Sequence, residues 1–270
     1  MIKLNEHQIN HIIPLFSGHI AQELEYAYLG EAPFGKIDIQ VHVDNADRPN
    51  TILILGGFAG TALYGDSENK AANKKIKTLI MDFFKREGNN EKEIWLSLYS
   101  SNWEPKIDEL FIEYERRKDN RLIHRLNIEK FLPYKNWQEL VPSGCSIIKY
   151  DTSSNAFLEK RNWQGFWHPE SERFGWFLVK DDEILSECFS VWVEKVGVEK
   201  GCVEISVDTK EKHKRKGYAV TTSAAFINDC LSRNLTPVWC CWQSTKGSAE
   251  LAQKLGFEII ENRRAIFIKL

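Results

Sequence analysis

The residues best able to act together chemically lie in one short run, Lys210-Glu211-Lys212-His213-Lys214-Arg215-Lys216-Gly217-Tyr218-Ala219. Six of its first seven residues can carry positive charge. Most charge runs are simply solvated loops, but the surroundings of this one are specific. CVEISVDT (202–209), whose Val203, Ile205 and Val207 alternate with polar residues, reads as the strand entering it. Val220, Ala224, Ile227 and Leu231 step by four, three and four, the apolar stripe of a helix leaving it. Gly217 falls where loop becomes helix. The first N–H groups of a helix converge on one point, its dipole adds partial positive charge, and glycine permits close approach of a phosphate. Thr221 and Thr222 in the first turn add hydroxyl donors. The expected ligand is one phosphorylated small molecule.

Three other constellations carry less. His7 and His11 stand four apart, as zinc ligands on a helix face would, but Gln8 occupies the position where the protease motif needs Glu. An amphipathic helix start, without metal, is expected there. Gly56-Gly57-Phe58-Ala59-Gly60 follows an apolar run, yet fits neither G-x-G-x-x-G nor the P-loop pattern. A tight turn or bulge with positive φ is the simpler reading. The six cysteines, Cys145, Cys188, Cys202, Cys230, Cys240 and Cys241, include no C-x-x-C pair. The first 20 residues lack the apolar run and cleavage site of a secretory signal. The expectation is therefore a cytoplasmic chain with reduced, mostly apolar-packed thiols.

The 270 residues hold 36 Lys+Arg against 38 Asp+Glu, a net charge of −2. Neither a nucleic-acid surface nor a membrane is an expected partner, since both call for a clear basic excess. The longest apolar stretch, 51–65, is too short to span a bilayer.

The elements that must position the basic loop follow a layered α/β (α+β) order. In the first half, strands are expected over 36–43, 51–58 and 93–100, with helices over 69–85 and 105–111. Asp119-Asn120 is expected to turn a hairpin into RLIHRLNI. A second unit begins near 142, giving expected domains of 1–141 and 142–270. Its expected elements are strand 145–151, helix 154–163, strands 174–180 and 184–193 around the Asp181-Asp182-Glu183 turn, and strand 202–209. Beyond the long helix come strand 238–242, helix 248–255 ended by Gly256, and two closing strands, FEII and RAIFIKL.

With this order on the page, Lys214-Arg215-Lys216-Gly217-Tyr218-Ala219 resembles the Arg/Gln-x-x-Gly-x-Gly/Ala signature of the GCN5-related N-acetyltransferases (GNAT superfamily), with Lys214 in the first position. VEISVDT matches that family's fourth strand, VWCCW (238–242) its fifth, and LAQKLGF (251–257) the helix and Gly-Phe that follow. EISVDTKEKHKRKGYA, CLSRNLTPVWCC and SAELAQKLGF, with ILSECFS before them, further resemble the zwittermicin-A-resistance type of GNAT protein. The resemblance covers 145–270 well and the first 140 residues in layout only. It implies a GNAT fold with a mixed central sheet in the second half, and a degenerate GNAT-like copy in the first.

The resemblance also implies acetyl-coenzyme A as cofactor and transfer of acetyl to a primary amine of a small molecule. Val207, Thr209, Lys214, Arg215, Lys216, Gly217, Tyr218, Ala219, Thr221 and Ser248 are the residues it points to for the cofactor. Glu204, then Asp208, are the candidate general bases, although an exposed charge on a half-buried sheet explains them equally well. The tyrosine that serves many relatives as general acid is replaced by Ala252, and the usual asparagine by Thr245. Cys240, Cys241 and Tyr218 are weaker donor candidates. The alternative function is an acyl-coenzyme A sensor without turnover. The aromatic set Trp163, Phe166, Trp167 and Trp176 is a candidate acceptor wall, with core packing the better default. Oligomeric state is left open.

Overall fold

The computed structural model describes residues 1–32, 35–36, 38–57, 60–85, 92–150, 174–193 and 200–270. The helix expected over 154–163, and Trp163, Phe166 and Trp167, lie outside the described residues. In chain order the strands are β1 (Ile2–Lys3), β2 (Glu31–Ala32), β3 (Gly35–Lys36), β4 (Gln40–Val43), β5 (Thr51–Gly57), β6 (Gly60–Gly65) and β7 (Glu93–Leu98). Then come β8 (Arg116–Leu126), β9 (Ser146–Tyr150), β10 (Gly175–Lys180), β11 (Glu183–Val193), β12 (Cys202–Thr209), β13 (Thr236–Trp242) and β14 (Phe257–Lys269). The helices are α1 (Glu6–Ile12), α2 (Gly18–Leu29), α3 (Lys70–Phe84), α4 (Trp103–Leu110), α5 (Ile128–Phe131), α6 (Tyr218–Ser232) and α7 (Lys246–Lys254). None of the described helices is long and apolar enough to cross a membrane.

The chain packs as two compact units. One holds residues 1–121 with 262–270; the other holds the described residues of 122–261. This packing division falls at 121/122, inside the strand β8.

In the first unit the strand order is β1-β4-β5-β6-β7-β14. Neighbours are antiparallel except β6 and β7, which are parallel and joined through α3. In the second unit the order is β9-β10-β11-β12-β13-β8. Here too the first three pairings are antiparallel, and β12 runs parallel to β13 through α6. Both units thus repeat one pattern: an antiparallel meander, then one helical crossover to a parallel strand. Matching strand orders support the idea of two related halves.

Each unit has its own apolar core. In the first, Ile76 and Ile80 of α3 and Trp103 and Ile107 of α4 are buried with Leu96, Leu98 and Ile266. Val41, Ile52 and Ile54 pack with Ile12 and Leu24 on another cluster. In the second, Ala224, Phe226, Ile227 and Cys230 of α6 pack with Val203, Ile205, Trp239 and Phe257. Each fully buried Phe or Ile contributes about 1.5–3 kcal/mol of apolar burial.

Several local expectations change. Asp119-Asn120 makes no turn; both residues lie inside the eleven-residue β8. The 60–65 segment is a strand, so Gly57 and Gly60 face each other across a β5–β6 hairpin. Gly56 has φ +71°, as a bulge needs. All four residues of Gln40–Val43 are buried, so β4 is not half-exposed. FEII and RAIFIKL form one strand, β14, whose central Arg263 is buried over the Tyr99 ring, 4.6 Å to the centroid. Arg264 beside it bonds Glu104 at 2.7 Å. Partnered arginines allow a polar stretch to continue a ladder that its composition would interrupt.

Gln8 has a local role: Asn5 and Gln8 form a reciprocal capping box at the start of α1. Among the described residues no group of three or more His, Cys, Asp or Glu is placed to hold a metal ion.

Candidate active site

The site begins where two parallel strands part. β12 and β13 are in register from Cys202 opposite Thr236 to Glu204 opposite Val238, and the pairing stops there. On its other side β12 stays paired with β11 as far as Thr209. Beyond Glu204, then, β12 continues beside β11 and leaves β13. A cleft of about 620 Å³ lies here, lined by Val207, Asp208 and Thr209 of β12 and by Trp239 of β13.

Two helix N-termini complete its wall. From α6 come Gly217, Tyr218, Ala219 and Val220, with His213, Lys214 and Arg215 of the preceding loop. From α7 come Thr245, Lys246, Gly247, Ser248, Glu250, Leu251 and Lys254. Neither N-terminus is capped by a side-chain hydrogen bond. Such ends present backbone donors and partial positive charge without an internal acceptor. Arg215 at φ +61° and Gly217 at φ +84° bend the loop back into the helix. A Cβ at Gly217 would meet nothing within 4 Å, so open space stands in front of it. The glycine is required by its backbone conformation and not by crowding.

The loop cations are not equivalent. Lys210 and Lys212 reach the same carboxylate oxygen of Glu183, at 3.2 and 2.8 Å, and Lys214 bonds Glu211 at 2.5 Å. The two lysines hold the Glu183 carboxyl down at about 2. Arg215 and Lys216 form no ion pair among the described residues. A count of positive residues therefore overstates the field available to a ligand. Glu183, at the hairpin that follows Asp181 and Asp182 (both at positive φ), carries no sequence mark of this role.

Most of the expected cofactor residues converge. Val207, Thr209, Lys214, Arg215, Gly217, Tyr218, Ala219 and Ser248 all line the cleft, and so does Asp208. Thr221 does not: it is buried, and its hydroxyl donates to the Leu140 carbonyl at 3.0 Å. Lys216 is exposed outside the lining. Thr222 is also buried, its hydroxyl beside Ser186 Oγ at 3.2 Å. Ser186 in turn meets the Thr209 hydroxyl at 2.8 Å, tying the end of β12 to the first turn of α6. Ser248 does not cap its helix; it accepts from the Trp239 indole N–H at 3.0 Å. Glu204 stands where the strands part but is not in the lining.

The lining also includes His213 of the basic run, and Trp239, Lys246, Gly247, Glu250, Leu251 and Lys254, which the sequence does not mark as site residues. Positions 247, 250, 251 and 254 follow a three- and four-residue spacing, one helical face. That signal was legible, but which face of α7 turns toward the cleft was not. Ala252 is fully buried in the core, so the usual acid position contributes no donor. The cysteines offer little: burial pushes the Cys188 and Cys230 thiols upward, away from thiolate.

The arrangement is a mixed α/β sheet opened between two parallel strands, with an uncapped helix start at the opening. The comparisons supply the assignment. The sequence matches the GNAT acetyltransferase family over residues 14–266, and the chain belongs to that family. It is 22% identical over 222 residues, 82% of each chain, to an uncharacterized N-acetyltransferase, YdfB, of Bacillus subtilis. A GCN5-related N-acetyltransferase-like protein from Streptococcus suis superposes with a TM-score of 0.64 at 20% identity, covering 97% of this chain and 99% of its own. A tandem GNAT protein from the clavulanic acid biosynthesis pathway gives 0.60 at 9% identity, covering 99% and 97%. A relation in fold to a tandem protein over almost the whole chain agrees with the repeated strand pattern.

Proposed function

We propose that the second unit is an N-acetyltransferase taking acetyl from acetyl-coenzyme A to a primary amine of a small molecule. One observation carries the reading: β12 and β13 part after Glu204, with two uncapped helix N-termini facing the resulting cleft. The cleft's donor set fits a phosphorylated cofactor. The amides of Gly217 to Ala219, with Lys214 and Arg215, would hold its phosphate groups, while Lys246 and Lys254 add charge from the α7 side. When bound, acetyl-coenzyme A supplies a thioester whose carbonyl is open to an amine.

The chain's own task is to deprotonate the amine and exclude water. Glu204, at the parting of the strands, is the leading base; Asp208, in the cleft wall, is the second candidate. The resemblance to zwittermicin-A-resistance proteins favours a small amine as acceptor. Specificity rests on this analogy, because one fold serves many acceptors. Buried Ala252 favours a second reading, in which the same cleft binds the cofactor without turnover.

Calorimetry with acetyl-coenzyme A tests binding, and thiol release across an amine panel tests turnover. Absence of binding removes both readings. Binding with no thiol release for any amine leaves the sensor.

A further inference from the structure

One carboxylate oxygen of Glu183 collects two lysines of the basic loop, Lys210 Nζ at 3.2 Å and Lys212 Nζ at 2.8 Å, and His213 Nε2 lies 3.5 Å away without a hydrogen bond to it. The backbone N–H of Lys210 also reaches the Leu185 carbonyl of the same strand, at 3.4 Å. His213 then packs beside Tyr218, ring centroids 6.1 Å apart, and both line the cleft. A hairpin in one place is thus fastened to the loop that opens α6. On charge alone this is a poor arrangement. A carboxylate near a proposed anion cleft repels the ligand and neutralises two lysines of the loop that borders it. Such a group persists where its effect on position outweighs its effect on charge.

We infer that Glu183 is a positioning residue for the proposed cofactor loop, setting the shape of the phosphate cradle by fastening Lys210 and Lys212 to the β10–β11 hairpin. It acts through these two lysines and touches no cofactor itself. The inference rests on the proposed coenzyme A site for its ligand, but the fastening itself is a property of the free protein.

The two effects of the carboxylate have opposite signs, which makes a single substitution decisive. Glu183→Gln keeps the size of the side chain and frees the lysines. If charge alone mattered, coenzyme A would bind more tightly. If position matters, binding weakens, by about five- to tenfold. Glu211→Gln is the control, since Glu211 is exposed and pairs only along its own turn with Lys214. It should bind coenzyme A at least as tightly as wild type. Pantetheine, which lacks the phosphates, should bind all three proteins alike.

Tryptic cleavage within 210–216 of the unliganded proteins gives a readout independent of cofactor. The Glu183→Gln protein should be cut faster there than wild type, while circular dichroism shows the same fold. Exchanging the pair, Glu183→Lys with Lys212→Glu, should restore protection. Equal or tighter coenzyme A binding by Glu183→Gln overturns the inference, as does unchanged cleavage. If wild type binds no coenzyme A, the proposed function fails, and the cleavage rates alone decide whether the fastening exists.

Discussion

Two loops occupy the same place in the two units and are built in opposite ways. After β6, the 66–69 segment leads into α3; after β12, the 210–217 segment leads into α6. The first loop is acidic and answers its own donors. Asn69 accepts from the Ala72 N–H at 3.0 Å, Asp66 accepts from the Glu68 N–H at 2.8 Å, and Asn73 donates to the Ser67 carbonyl at 2.7 Å. Its strands also stay joined: β6 and β7 pair from Thr61 to Leu63, and the Tyr99 N–H continues to the Leu63 carbonyl. In the second unit the helix start carries no side-chain cap and the strands part after Glu204. An identical topology gives a closed element in one case and a cleft in the other. Under the proposed function, capping and strand pairing, not strand order, set the two units apart.

The comparison predicts where binding and stability should come apart. Gly217→Asp should weaken acetyl-coenzyme A binding by about a hundredfold or more, by bringing like charge to the cradle and straining φ +84°. Calorimetry reads the loss, and wild-type affinity in this variant would dissolve the distinction between the loops. If Glu204 is the base, Glu204→Gln should cut kcat by about a hundredfold or more with cofactor affinity kept. A larger effect from Asp208→Asn would move the base into the cleft wall.

Gly65 is the reverse of Gly217. A Cβ there would lie 1.8 Å from the Asn50 carbonyl oxygen, so Gly65→Ala should cost about 3 kcal/mol of stability. Its cofactor affinity should hold wherever the variant remains folded. Denaturant midpoints and calorimetry on one sample measure both. A milder version is Asn69→Ala, which removes the α3 cap and should cost about 1 kcal/mol without touching binding.

The smallest effect is a pH dependence. Glu183 titrates at about 2 in the folded chain because Lys212 and Lys210 hold its charge, against an ordinary 4.5. A depressed carboxyl adds stability above its unfolded value and loses it as pH falls through the folded one. The stability difference between wild type and Glu183→Gln should therefore be complete above about 4.5 and vanish toward pH 2. A difference that persists at pH 2 would mean that the carboxylate charge is not what holds the loop.

The alternating CVEISVDT, the α6 stripe and Gly217 made the strand, the turn and the helix start legible, because local spacing specifies local structure. The same local signals failed at Asp119-Asn120, which look like a turn and lie in β8. They failed again at Arg263, which looks like a break and lies buried in β14. In each case neighbouring strands overrode local propensity. The Thr221 and Thr222 hydroxyls seemed available because helix position alone does not say which side faces the core; both are buried.

By itself, then, the sequence determined the family, through the order of its elements around a seven-residue basic run that opens a helix, and from that run came the proposal of one phosphorylated ligand. Tertiary structure alone decided the rest. It showed that Lys210 and Lys212 answer to Glu183, 27 and 29 positions earlier in the chain, and that α7 brings Lys246 and Lys254 to the same cleft. It also showed that the strands separate in one unit and stay paired in the other. These are relations between segments distant in the chain. Charge pairs, strand registers and cleft walls are set by which surfaces meet on folding, and no local pattern encodes that meeting.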